Sequence, residues 1–235
     1  MFLNKKFLLK EFPILFGILL YAYLINWFSG NIGIIPIDSF GFLDTGHSIL
    51  KGSLPIRDFW IFTGLLVDYM EALFLFLFGN NWNSHLAHGS FMNLIATIGV
   101  YFFLKELSLS RNSRIFYSIC FSTLCYPVSG TPFAYLHAYI FSLLAIFILI
   151  LAIKNQNRFL WFFFPFMCFF AFFSMQTPTA YILVILFILL TCYFIKSKDV
   201  KNLKYFVSGS ILSLFLFVLF LLITNTPITS FIYQY

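Results

Sequence analysis

Long apolar runs punctuated by short basic segments dominate the chain. Seven runs approach the length a helix needs to cross hydrocarbon: Phe12 to Phe28, Ser84 to Leu104, Ile115 to Val128, Phe133 to Ile153, Phe159 to Ser174, Tyr181 to Ile195 and Tyr205 to Ile223. An eighth, Gly64 to Phe78, is apolar over most of its length but carries Asp68 and Glu71 three residues apart on one helical face. The distribution of positive charge decides how it is read. If the eighth run crosses, every later basic segment is inverted relative to the N-terminus. If it lies along the outer surface, Lys5, Lys6 and Lys10 share one side with Lys105, Arg111, Arg114, Lys154, Arg158, Lys196, Lys198, Lys201 and Lys204, which makes twelve of the fourteen Lys and Arg. The expected architecture is therefore all-α: about seven transmembrane helices plus outer-surface amphipathic helices. The N-terminus lies in the cytoplasm, the C-terminus outside, and Gly64 to Phe78 is an interfacial helix whose two acids keep it from inserting.

Composition agrees with this reading. The chain is 61% hydrophobic and 9% charged, outside the range of soluble domains. The first run ends in bulky Asn26, Trp27 and Phe28 rather than a small-residue cleavage site, so it reads as an uncleaved anchor. The net charge of +6 comes from single basic residues between apolar runs, not from one stripe, which argues against nucleic acid as a partner and for membrane lipid. Cys120, Cys125, Cys168 and Cys192 all lie in apolar runs without a CxxC and read as packing residues. Neither repeats nor linkers divide residues 1–235, and the chain reads as a single membrane domain.

One stretch breaks the apolar pattern. Asp38, Asp44, His47, Lys51, Arg57 and Asp58 crowd between two apolar regions, and with Asp68 and Glu71 this part of the chain holds five of the eight acidic residues. Lipid gives no reason to gather carboxylates, whereas a watery pocket at the membrane surface does. The stretch belongs to a long outer segment, about 29–84. Within it, Asp38 or Ser39 caps a helix running to Lys51 and stopped at Gly52, about 20 Å long, with Phe40, Leu43, His47 and Leu50 on one face.

The order of these residues resembles the first outer loop of the GT-C superfamily of polyprenyl-phosphate-sugar glycosyltransferases, near its protein mannosyltransferase and aminoarabinose transferase branch. Asp38 follows the first span, and Gly52, Pro55, Arg57, Asp58 and Phe59 match a GxxPxRDF element at the family's distance. GTPFAYLH, ending at His137, and QTP at Gln176 to Pro178 are similar to pieces of bacterial members. Family members are generally longer, so the resemblance implies an N-terminal membrane module. Ser39 stands where many relatives carry a second acid, and Asp44 is the nearest substitute. Asp38 and Asp44 do not share a helical face, so both line one pocket only if Asp38 sits at or before the helix start.

The resemblance implies an inverting enzyme of a bacterial inner (cytoplasmic) membrane, with its site on the non-cytoplasmic side. The donor is a polyprenyl-phosphate-linked sugar and the acceptor an unidentified hydroxyl. Asp38, with Asp44 as second carboxylate, takes the acceptor's proton. Arg57 holds the phosphate, Asp58 orients it, and Lys51 and His137 are further substrate-binding candidates. No bound cofactor is implied, and the need for a divalent ion stays open. Each assignment has a plainer rival: a helix cap for Asp38, a surface ion pair for Arg57 and Asp58, and a packed residue for His47. His85 and His88 can share a metal, although no third ligand follows at a suitable spacing. Two other functions stay open: a non-enzymatic carrier or transporter subunit for lipid-linked sugars, and a truncated, inactive transferase.

Overall fold

A computed structural model describes residues 5–33, 36–61 and 64–234, with the side chains of residues 5–10 and 36–38 excepted. Helix is the only extended regular structure among them. The elements are α1 (Lys5–Ile32), α2 (Pro36–Leu50), α3 (Leu65–Phe78), α4 (Trp82–Glu106), α5 (Arg111–Leu124), α6 (Ala134–Asn155), α7 (Arg158–Ser174), α8 (Gln176–Ser197), α9 (Val200–Ile223) and α10 (Ile228–Gln234).

Contacts at the helix ends fix their directions. At one end of the bundle Glu11 of α1 meets Tyr101 of α4 and Arg114 of α5, Lys154 of α6 donates to the Glu106 carbonyl, and Asn202 of α9 donates to Gln156 at 2.7 Å. At the other end Asn26 of α1 donates to the Gly130 carbonyl at 3.1 Å, and Arg57 donates to the Thr224 carbonyl beyond α9 at 3.0 Å. Thus α1 and α4–α9 alternate in direction, with the basic segments at one end and α2, α3 and the 51–61 turn at the other.

Five helices, α1, α4, α6, α8 and α9, are long and apolar enough to cross a membrane, which makes this an integral membrane protein. The other two expected spans are shorter, 17 residues in α7 and 14 in α5. At 1.5 Å per residue α5 rises only about 21 Å against a hydrocarbon core of about 30 Å. It also starts and ends earlier than the expected Ile115 to Val128. Pro127 disfavours helical backbone at the preceding residue, and Arg114 enters α5 because Glu11 and the Tyr101 ring, 5.3 Å away, receive its charge.

Polar side chains join the first helices. Asn93 of α4 donates to the carbonyls of Ala22 in α1 and Ser122 in α5 at 2.8 and 2.9 Å, and Asn26 donates to Ser90 at 3.2 Å. Such interhelical bonds hold where lipid offers no hydrophobic contrast between neighbours. The later helices instead use close backbone approach and aromatic packing. A Cβ on Gly209 of α9 would lie 2.2 Å from the Phe162 carbonyl of α7, and fully buried Trp161 stacks on Tyr193. Apolar side chains such as Phe187, Ile188, Ile211 and Leu222 point outward, as a lipid-facing surface requires.

Candidate functional site

The helix expected from Asp38 or Ser39 begins earlier, at Pro36, whose fixed φ suits a first helical position. Asp38 therefore lies within the first turn of α2 rather than capping it. Its side chain lies outside the described ones. Because both carboxylates now belong to one helix, Asp38 and Asp44 stand about 120° apart around its axis, and the condition for them to line one pocket is not met. Asp44 and Lys51 are exposed. The helix stops where expected, with Gly52 at φ +93°.

The buried face of α2 is Ser39, Phe42 and Gly46, next to the expected apolar stripe. Ser39 shares a hydrogen bond with Thr131 at 2.9 Å, and Thr45 donates to Asp68 at 2.8 Å. A Cβ on Gly46 would lie 2.7 Å from the Glu71 Cγ, so glycine lets α2 settle on α3. Phe40 and Leu50 remain exposed, in keeping with a helix whose outer side meets lipid. His47 meets Asn80 at 2.8 Å.

Between α2 and α3 the chain folds into a turn held by one arginine. Arg57 grips Asp58 with two donors, Nε to Oδ1 at 2.9 Å and Nη2 to Oδ2 at 2.6 Å, and also donates to the Gly52 and Thr224 carbonyls. Asp58 in turn accepts the Leu54 N–H at 2.7 Å. These bonds from Arg57 and Leu54 hold the Asp58 carboxyl at about 2, and the same pairing raises Arg57. The expected ion pair is thus present and anchors the turn to the end of α9.

Beneath this turn, α3, α7 and α9 enclose an apolar groove of about 430 Å³, lined by Leu65, Tyr69, Phe169, Phe173, Phe217 and Phe220 among others. Phe220 lies four residues before Thr224, one turn of helix from the carbonyl that Arg57 holds.

The two acids of α3 do not face water. Asp68 is 2% and Glu71 0% exposed, while Leu73, Phe76, Leu77 and Phe78 form the open side. The helix is inverted relative to one that lies on a membrane by its polar face: its acids point into protein and its apolar side meets lipid. The two acids expected to keep the helix from inserting are thus covered by protein, with partners for both supplied by other elements. Burial pushes Asp68 up to about 7, against the lowering bond from Thr45 and aided by nearby Glu71. Burial would raise Glu71 as well, but bonds from His85 and His88 outweigh it and hold the carboxyl at about 2.

Sequence reasoning missed this cluster. Glu71 Oε1 lies 2.9 Å from His85 Nδ1, and Oε2 lies 2.7 Å from His88 Nδ1. The chain continues from His88 Nε2 to His137 Nε2 at 3.0 Å. His137 Nδ1 faces the Phe133 carbonyl at 2.9 Å and the Tyr126 hydroxyl at 3.0 Å, and that hydroxyl accepts the Phe133 N–H at 3.0 Å. All three histidines are fully buried, and the Phe74 ring stacks on His88 with centroids 5.0 Å apart. His85 and His88 share the Glu71 carboxylate, and His137, a substrate-binding candidate by resemblance, belongs to this interior chain. The available signal was the spacing: Asp68 and Glu71 at i, i+3 on α3 and His85 and His88 at i, i+3 on the next helix place two matching polar faces close together.

The structure therefore places the sequence-derived residues apart. Arg57 and Asp58 sit on the turn, Asp44 on the exposed side of α2, Lys51 just past its end, and His137 in the interior. Comparison with protein-family models, with curated proteins and with solved structures gives no match.

Proposed function

We propose that this chain is a membrane glycosyltransferase module that uses a polyprenyl-phosphate-linked sugar as donor. The observation that supports the reading is the apolar groove between α3, α7 and α9, whose outer end lies beside the turn carrying Arg57. A long isoprenoid chain needs an apolar bed opening to the bilayer, and its phosphate needs a cation at the rim. In this reading α5 and α7 complete seven spans, the basic segments face the cytoplasm by the positive-inside rule, and the groove's mouth faces outward in a bacterial inner membrane.

The acceptor hydroxyl attacks the anomeric carbon as the bond from that carbon to the phosphate oxygen breaks. α2 holds Asp38 about 18 Å along its axis from the helix end where Arg57 bonds Gly52. Arg57 therefore receives the donor at the groove's rim, and Asp38 takes the hydroxyl proton only after the donor has moved along α2, the lipid phosphate leaving with the bonding electrons. Arg57 already donates to Asp58 and to two backbone carbonyls, so binding phosphate exchanges some of these partners for phosphate oxygens. Asp58, an acceptor on the same fork, keeps the guanidinium aimed while the site is empty. Asp44, exposed on α2, and Lys51, exposed just past its end, meet the sugar or the acceptor in this reading rather than the reacting atoms. The rival carrier or transporter reading has less support, since the buried acids and histidines lie on α3 and in the first two turns of α4 and α6, near one end of the bundle and not halfway across.

The test is sugar transfer from radiolabelled polyprenyl-phosphate sugars in membranes containing the chain, wild type against Asp38→Asn at matched protein levels. Transfer by wild type that falls at least 100-fold in the variant is expected, given the usual size of general-base effects of about 10²–10⁴. Equal transfer by both removes Asp38 from the chemistry, and absence of wild-type transfer across a donor panel removes the reading.

A further inference from the structure

The buried chain from Glu71 to Phe133 poses a question of proton count. Glu71 is ionised and accepts only, so the Nδ1 atoms of His85 and His88 must both carry hydrogen to meet its oxygens at 2.9 and 2.7 Å. The Phe133 carbonyl, at the far end, also only accepts, so Nδ1 of His137 carries hydrogen to meet it at 2.9 Å. In neutral imidazoles with hydrogen on Nδ1, both Nε2 atoms hold bare lone pairs. Those of His88 and His137 face each other at 3.0 Å, a hydrogen-bond distance that two acceptors cannot share.

One further proton resolves the conflict. We propose that His88 and His137 together bind a single proton between their Nε2 atoms at neutral pH, with Glu71 as the counter-ion of the resulting buried imidazolium. The charge balance argues the same way. Glu71 is fully buried, and among the described residues its ion-pair partners are histidines, with no Lys or Arg. An unpaired carboxylate in such a place is strongly disfavoured, whereas one proton on the histidine pair makes the group neutral overall. A metal ion would also occupy facing lone pairs. However, among the described residues no three His, Cys, Asp or Glu side chains are arranged to hold one, and a proton needs only the two nitrogens.

The groups that face this site are few. From α3 comes Asp68, bound to Thr45 of α2, and from α4 His85, whose Nε2 is buried without a partner. The turn before α6 brings Tyr126 and, next to it, Cys125. Gly46 of α2 lies against Glu71 and adds no charge. Tyr126 offers the one competing arrangement: its hydroxyl donates to His137 Nδ1, His137 Nε2–H donates to His88, and both rings stay neutral. That arrangement sets a bare Nδ1 lone pair 2.9 Å from the Phe133 carbonyl, whose donor is then the His137 backbone N–H alone at 3.1 Å, and leaves Glu71 without compensating charge.

The proton is thus the ligand of this site, and its affinity belongs to the three residues jointly rather than to either histidine. The site is independent of the transferase reading. It fastens α3 to α4 and α6 under the layer that carries α2, so its occupancy sets how firmly that layer is seated.

Histidine nitrogen NMR on the full chain in lipid nanodiscs, with ¹⁵N-histidine labelling at pH 7, tests the proposal. One ring pair with imidazolium-type nitrogens and a proton coupled to two Nε2 atoms is expected, lost in His137→Gln and retained in Tyr126→Phe. His88 and His137 both neutral in the folded wild type, or an imidazolium signal that stays in His137→Gln, overturns it. Loss in Tyr126→Phe of the proton coupled to the two Nε2 atoms, in a protein that keeps its helical circular dichroism, also overturns it, since that coupling would then depend on a hydrogen from Tyr126.

Discussion

Two acid–base groupings lie near the same end of this bundle and obey different physics. In the 51–61 turn, Arg57 and Asp58 pair at 2.6 Å with about a third of each side chain open to solvent. Under α2, Glu71 pairs with two histidines at similar distances and with no exposure. An exposed pair gains little because water screens it and competes for its donors, while a buried pair is costly to form and far more costly to break on one side. Crowding of charge in sequence therefore points to where a ligand can exchange partners, and burial points to where the fold depends on them.

The largest effect should come from breaking the buried grouping. Glu71→Ala leaves His85 and His88 without their common acceptor and the histidine pair without its counter-charge. A loss of about 3–5 kcal/mol is expected, read as a lower melting temperature in detergent. Weak destabilisation would mean that water reaches the cluster.

Next in size is the contact that fixes α3 itself. A Cβ on Gly64 would lie 1.5 Å from the Ser174 carbonyl, so Gly64→Ala must displace the start of α3 from the end of α7. The expected cost is about 1–3 kcal/mol. Sugar transfer should fall with it, because the groove shares α3. Unchanged stability would show that the two segments part easily.

Asp68 sharpens the comparison through pH. Its folded value of about 7 lies above the ordinary 3.8, so the folded state holds the proton more tightly than the unfolded one. The contribution of this carboxyl to stability should therefore be full below about 4, fall as pH rises towards 7 and then level off. Asp68→Asn keeps the neutral shape and removes this slope, gaining about 1–3 kcal/mol over wild type at pH 8 and little at pH 4. Parallel melting curves for the two proteins across that range would refute the buried, raised carboxyl.

The smallest stability effect is expected from Asp58→Asn in the turn. The Asp58 value of about 2 lies below the ordinary 3.8, so its contribution is present above 3.8 and is lost as pH falls through about 2. Melting at pH 7 should shift by less than for any variant above, while transfer activity drops at least tenfold as Arg57 loses its orienting partner. A large melting shift with activity intact would invert the contrast between the two groupings.

How far the sequence exposed this molecule varies with the kind of information. The long spans were legible because apolar length is a local property, and the basic segments were correctly gathered at one end by counting charge. The stop of α2 at Gly52 was legible for the same local reason. The direction that α3 turns its acids was not. Periodicity placed Asp68 and Glu71 on one face but could not say whether water or protein covers it, since the answer depends on Thr45, His85 and His88 from other helices. The pairing of His137 with His88 was not legible either, because the two rings stand 49 residues apart in the chain.

The bond from Arg57 to the Thr224 carbonyl spans 167 residues and has a mechanical consequence. The turn is moored to the last long helix, which forms one wall of the groove. If that wall swings aside to admit a hydrocarbon tail from the bilayer, the guanidinium is dragged with it or must let go. Entry of the tail and release of the cation that would greet the headgroup are then a single event, and loading at one end reports directly to the other.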